Sequence, residues 1–191
     1  MHHAMGWLMV VCLLLSGCSF YERIQSKPQI PLTYQSTIPK RKDQGLLVSK
    51  FATPITNNDI IRNSNLFTGV HYLSGTEIKP QRTVSFKNLM HGFKPGSNFQ
   101  QGRWFAQDKP EGIPEGVEQV ATTFYMAANK AGLTIKEGEL LRKEQPWAPS
   151  DGQVLISESR DLRVQNQFRY PLYVYGQVTS DSIIIGIYRP R

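Results

Sequence analysis

The sequence predicts an α+β domain in which an antiparallel sheet packs against one principal helix at about residues 114–131, with an extended N-terminal tether. Three observations predict it. Residues 114–131 carry apolar side chains at helical spacing; Leu162, Val164 and Phe168 alternate with Arg163, Gln165 and Gln167; and two apolar runs, 172–178 and 183–188, flank a short polar turn. Hydrophobic residues at 40% and charged residues at 19% are the balance of a chain that buries a core rather than one that stays disordered. A length of 191 residues suits one domain plus a tether.

Taken in order, residues 1–17 read as a signal peptide. Residues 6–17 form an apolar run of 12, and no Lys, Arg, Asp or Glu occurs before Glu22. A transmembrane helix needs roughly 20 such residues, so the run fits a transient leader instead. It closes on Leu15-Ser16-Gly17-Cys18.

In these four residues the chain resembles the lipobox of bacterial lipoproteins, where a branched residue and two small ones precede a cysteine. The resemblance implies that the Cys18 sulfur accepts a diacylglyceryl group. It also implies that small Ser16 and Gly17 admit a signal peptidase, and that the freed amino group of Cys18 is acylated, commonly with palmitate. Two or three acyl chains anchor stably, since each buried methylene contributes about 0.8 kcal/mol and a single chain holds only marginally. The chain departs from the pattern in having only His2, His3 and the terminal amine ahead of the apolar run. Ser19, rather than Asp, after the cysteine is similar to lipoproteins sorted to the outer membrane, with the domain in the periplasm.

Cys12 and Cys18 are the two cysteines, so cleavage before Cys18 leaves no free thiol, no disulfide and no cysteine metal ligand. Residues 18–45, with Pro28, Pro31 and Pro39, read as an extended tether. Charge is uneven along the mature chain. Residues 18–110 hold 13 Lys plus Arg against 5 Asp plus Glu, and residues 111–191 hold 9 against 10. Lys40, Arg41 and Lys42 make the basic half a candidate for contact with an anionic surface. Each such cation contributes roughly 1 kcal/mol close to a charged membrane. The same charge serves equally as a solvated surface.

Residues 46–191 read as a single globular domain, divisible into a strand-rich part, 46–110, and a helix-plus-sheet part, 111–191. Strands are predicted at 46–52, 70–73 and 83–89, punctuated by Asn57-Asn58-Asp59, Gly75 and Pro80. Pro114 suits a first helical turn, Glu115 and Glu118 complement its positive end, and Gly132 supplies a left-handed stop. Val117, Val120, Ala121, Phe124, Ala128 and Ala131 share one face. A strand or hairpin follows at 133–144, interrupted at Gly138, then turn residues from Pro146 to Gly152 and a strand at 154–157. The runs 172–178 and 183–188 are apolar on both faces, which suits central or covered strands joined through Thr179-Ser180-Asp181-Ser182.

Function is less legible. His71 and His91 are the mature histidines, and no spacing makes them metal ligands, so no metal or cofactor is expected. Neither a Gly-x-Ser-x-Gly elbow nor a phosphate-cradling glycine loop occurs. Glu137 and Glu139 are the nearest carboxylate pair for a glycan hydrolase, though their place beside Gly138 and Lys136 suits exposed charges as well. Residues 86–109 interleave aromatic and basic side chains. Here Lys94, Phe99, Arg103, Trp104 and Phe105 are candidates for stacking on an envelope glycan or lipopolysaccharide, for anchoring a partner protein, or for packing as core aromatics. Export argues against nucleic acid. Edge pairing through the C-terminal strands stands beside their burial as a central hairpin. The reading that follows is a noncatalytic envelope lipoprotein, an assembly or accessory factor binding another envelope protein. The alternatives are a glycan- or lipid-binding lipoprotein and an envelope glycan hydrolase.

Overall fold

The computed structural model describes residues 45–94, 97–100, 112–142 and 145–191. Its centre is a four-stranded antiparallel sheet in the order β1-β9-β8-β2, formed by β1 (Leu46–Pro54), β2 (Thr76–Ile78), β8 (Leu172–Val178) and β9 (Ser182–Arg189). The C-terminal hairpin is therefore internal, as its two apolar faces predict. Ile183, Ile185 and Ile187 are fully buried on β9, and Leu172 and Val174 on β8. The hairpin loop is fastened locally. The Thr179 and Ser182 hydroxyls donate to the Asp181 carboxylate at 2.6 and 3.1 Å, which holds it below the usual carboxylate range.

Two 14-residue helices cover this sheet, α1 (Ile60–Leu73) and α3 (Val117–Lys130). Packing of an antiparallel sheet against the expected C-terminal helix is as read from the sequence, and all six residues assigned to its inner face are buried. The helix begins at Val117 rather than Pro114, because Gly116 adopts φ 91° and forms its N-cap. Gly132, at φ 75°, follows its C-cap Ala131.

Helix α1 overturns the strand expected at 70–73. Asp59 caps it, accepting the Arg62 backbone N–H at 2.8 Å. Its inner face is Arg62, Asn65, Leu66, Gly69, Val70 and Leu73, helical spacing that polar residues hide from a hydrophobicity pattern. The strand expected at 83–89 is also corrected. Only β3 (Thr83–Ser85) is extended, and Ser85 then caps a helical turn, α2 (Phe86–Leu89), by accepting the Asn88 N–H at 3.1 Å.

The remaining strands form two small sheets. β4 (Thr134–Glu137) and β7 (Arg163–Gln165) join β3 in the order β3-β7-β4, and β5 (Leu140–Leu141) pairs with β6 (Gln153–Val154). The segment expected as a strand or hairpin at 133–144 is broken at Gly138 into β4 and β5, which pair with β7 and β6 and not with each other. Asn166, fully buried, ties β7 to the main sheet: its Nδ2 donates to the Ile78 carbonyl at 2.8 Å and to the Tyr170 carbonyl at 2.9 Å.

Helix and sheet meet most closely where α1 crosses β8. A Cβ placed on Gly176 would stand 2.5 Å from Val70 Cγ1, and Val70 is 2% exposed, so it has nowhere to move. Gly176→Ala is expected to cost about 1–3 kcal/mol by overpacking, read as a lower urea midpoint at unchanged slope. An unchanged midpoint would show that the helix is free to lift from the sheet.

Candidate functional site

The polar residues that conceal α1 from the sequence converge on the first turns of α3. Arg62 is 7% exposed and Gln119 fully buried, and Arg62 Nη2 donates to Gln119 Oε1. Gln119 Nε2 passes the interaction on to β1, donating to Thr53 Oγ1 at 3.0 Å and to the Pro54 carbonyl at 2.9 Å. Thr53 and Thr123 share a further hydrogen bond of 2.7 Å between their hydroxyls, and Thr123 Oγ1 also donates to the Gln119 carbonyl at 2.7 Å. A guanidinium, an amide and two hydroxyls thus connect both helices to the edge strand.

Gly116 makes this meeting possible. A side chain there would place Cβ 2.9 Å from the Arg62 carbonyl oxygen, at a φ that L residues rarely adopt. Burial pushes the Arg62 guanidinium below its ordinary range, while the Glu115 and Asp59 carboxylates act the other way. Arginine stays charged at neutral pH regardless, so the site holds a permanent buried cation. Among the described residues Arg62 Nη1 has no hydrogen-bond partner, nor does Gln153 Oε1.

Two further buried amides extend the cluster. Asn65, one turn after Arg62, grips the backbone of Gln100: its Nδ2 donates to the carbonyl at 2.9 Å and its Oδ1 accepts the N–H at 2.7 Å. On the other side of α3, Gln153 Nε2 donates to Glu118 Oε2 at 3.4 Å, and Thr122 Oγ1 accepts the Val154 N–H at 2.9 Å. These groups fasten α1, α3 and β1 to one another and leave Arg62 Nη1 as the donor without a partner among the described residues.

Of the residues singled out in the aromatic and basic segment, Lys94 and Phe99 are described. Phe99 packs among aromatics, 5.6 Å from the Phe93 ring and 5.8 Å from Tyr72, which in turn meets His91 edge-on at 4.5 Å. It is half-buried against the core, matching the core-aromatic alternative. Lys94 is exposed beside it, after a left-handed turn in which His91, Gly92 and Phe93 all have positive φ. Arg103, Trp104 and Phe105 lie outside the described residues, as do Lys40, Arg41, Lys42 and Cys18.

The carboxylate pair is spent on structure. Glu137 Oε1 accepts the Asp161 N–H at 2.7 Å, and Glu139 pairs with Arg160 at 3.3 Å. Asp161 in turn accepts from Ser85 Oγ at 2.5 Å and from the Lys87 N–H at 2.9 Å. Sequence reasoning missed Arg62, Gln119 and Asn65. The signal for Arg62 and Asn65 was that of polar residues at helical spacing after the Asp59 cap, and Gln119 carried none beyond its place in the first turn of α3.

Comparison with known proteins gives this constellation a context. A family model described as "VanW like protein" matches residues 61–188, a range that contains Arg62, Asn65, Gln119 and Gln153. A relative in Bacillus subtilis (strain 168), described as "Uncharacterized protein YoaR", is 24% identical over 183 residues, covering 88% of this chain and 58% of the relative. The chain thus spans little more than half of that relative's length. No solved structure matches the chain.

The Arg62–Gln119 contact is testable by a double-mutant cycle. Gln119→Leu removes the acceptor and leaves the buried guanidinium short of a hydrogen bond, an expected loss of about 1.5–3 kcal/mol in urea unfolding. Arg62→Met combined with Gln119→Leu is expected to cost less than Gln119→Leu alone, since the stranded charge is then gone. Additive losses would place the two side chains in separate environments.

Proposed function

The chain belongs to the VanW-like family, and from that premise we propose that it is a noncatalytic bacterial lipoprotein, acting as an assembly or accessory factor that binds another envelope component. The single observation that carries the location is the sequence Leu15-Ser16-Gly17-Cys18 behind an apolar leader. Lipid on Cys18 holds the protein to the membrane, and the outer membrane with a periplasmic domain is the reading that Ser19 favours. Among the described residues no helix is long and apolar enough to cross a membrane.

The noncatalytic reading is supported by the engagement of the Glu137 and Glu139 carboxylates, by the Asp161 N–H and by Arg160, while the buried Arg62–Gln119 cluster holds the helices and β1 in a fixed arrangement. A partner protein is favoured over a glycan because Phe99, proposed as a stacking platform, is packed against Phe93 and Tyr72.

Cys18→Ser tests the location directly. The wild-type chain is expected to partition into detergent and to carry the mass of its acyl chains after loss of 17 residues, whereas the variant keeps its leader and carries no lipid. Identical mass and partitioning in the two would end the anchoring proposal. In-membrane crosslinking of the wild-type protein should then yield one stoichiometric envelope protein, and its absence rules out the accessory role.

A further inference from the structure

We propose that the face of the main sheet turned away from the helices is a self-association surface, where two copies of the chain pack sheet on sheet about a two-fold axis running along the strands. Register fixes what that face carries. Ser49, Thr53 and Gly176 point to the helices: Ser49 Oγ donates to the Ala127 carbonyl at 2.6 Å, Thr53 bonds Thr123, and a Cβ on Gly176 would meet Val70. Their register partners Ile187, Ile183 and Ile185 share that side. The alternate residues face the other way: Leu47, Lys50 and Ala52 on β1, Ile184 and Tyr188 on β9, Tyr173 and Tyr175 on β8, and Glu77 on β2.

The centre of this face is apolar, and neither 14-residue helix lies on it. Tyr188 pairs with Leu47 on one side and Tyr173 on the other, and its ring stands edge-on to Tyr175 with centroids 5.5 Å apart. Tyr175 is buried, Tyr173, Ile184 and Tyr188 are half-buried, and Leu47 and Ala52 are exposed. None of the six belongs to the core that the sheet shares with the helices. Single exposed apolar residues are ordinary on a surface, whereas a contiguous set of this kind marks an interaction site.

Charge selects the occupant. Lys50 and Glu77 are the charged side chains of this face; both are exposed, they stand on opposite edge strands, β1 and β2, and neither has an ion-pair partner among the described residues. A two-fold axis along the strands lays β1 of one copy over β2 of the other, so Lys50 of each copy faces Glu77 of its mate. Lys50 is level with Tyr175 across β9 and Glu77 is level with Tyr173. That stagger of two residues is about 7 Å, which the two long side chains span. The tyrosines and Ile184 then fill the space between sheets about 10 Å apart. An anionic bilayer or glycan fits less well, because Glu77 would face it. Four strands about 4.8 Å apart over about seven residues offer roughly 400 Å² per copy, the size of a weak association. This pairing stands apart from the lipid anchor and from the envelope partner proposed above.

The test captures the pair covalently in cells. Two full-length copies with different tags are co-expressed, each with benzoylphenylalanine in place of Gln177, an exposed residue of the same face, and the irradiated product carrying both tags is counted. Copies otherwise unchanged should yield it. Lys50→Glu in both copies sets carboxylate against carboxylate, Glu77→Lys in both sets ammonium against ammonium, and each should lower the yield about tenfold. One copy of each variant restores both ion pairs and should return the yield to its starting level, which also shows that neither substitution unfolds the chain. Equal yields in all four combinations, as a shared membrane or glycan strand would give, overturn the proposal. So does a mixed pair no better than either variant alone, or the absence of product from the unchanged copies. Leader, tether and tags are common to every combination and cannot produce the difference.

Discussion

A buried guanidinium between two helices sets the terms for the rest of the domain. Arg62 reaches from α1 into the first turn of α3 and is met there by Gln119, whose amide is held in turn by Thr53 and the Pro54 carbonyl of β1. Burying a charge costs less when it is hydrogen-bonded, and the bond from Arg62 Nη2 to Gln119 requires the three elements to keep their relative positions together. Gly116 is a consequence: any side chain would collide with the Arg62 carbonyl and hold the helices apart. Gly69, whose Cβ would come within 3.1 Å of Val120, permits the same close approach one turn further on.

Around that contact the apolar packing is conventional. The isoleucines of β9 and the alternating residues of β8 face both helices, and the remaining small sheets are fastened by side-chain amides and carboxylates, Asn166 and Asp161 foremost. The family match begins at residue 61, inside α1, and ends at residue 188, inside β9. It thus includes Arg62, Asn65, Gln119 and Thr123 and leaves out β1, which supplies Thr53 and the Pro54 carbonyl to the same hydrogen-bonded cluster.

Legibility from sequence followed chemical contrast. Helix α3 could be read because its inner face is apolar and Pro114 and Gly132 mark its ends, although Gly116 moves the start to Val117, and the hairpin of β8 and β9 because two apolar runs flank a polar turn. Helix α1 could not, because its inner face places Arg62 and Asn65 where a pattern-based reading expects aliphatic residues. Val70 to Leu73 then looks like a short strand when it is the last turn of that helix. Likewise Phe86 to Leu89 has strand composition, and Ser85 turns it into a helical turn by capping the Asn88 N–H.

The sequence alone determined the α+β class, the C-terminal helix and the internal hairpin, because each depends on local periodicity or on adjacent residues. Only the tertiary structure decided that Arg62, Asn65 and Gln119 meet, since 57 residues separate Arg62 from Gln119 and their partners come from three elements. It likewise assigned Phe99 to an aromatic cluster and Glu137 to a backbone N–H. A polar side chain in a sequence carries no mark of its burial; burial is settled by what the fold brings within hydrogen-bonding distance.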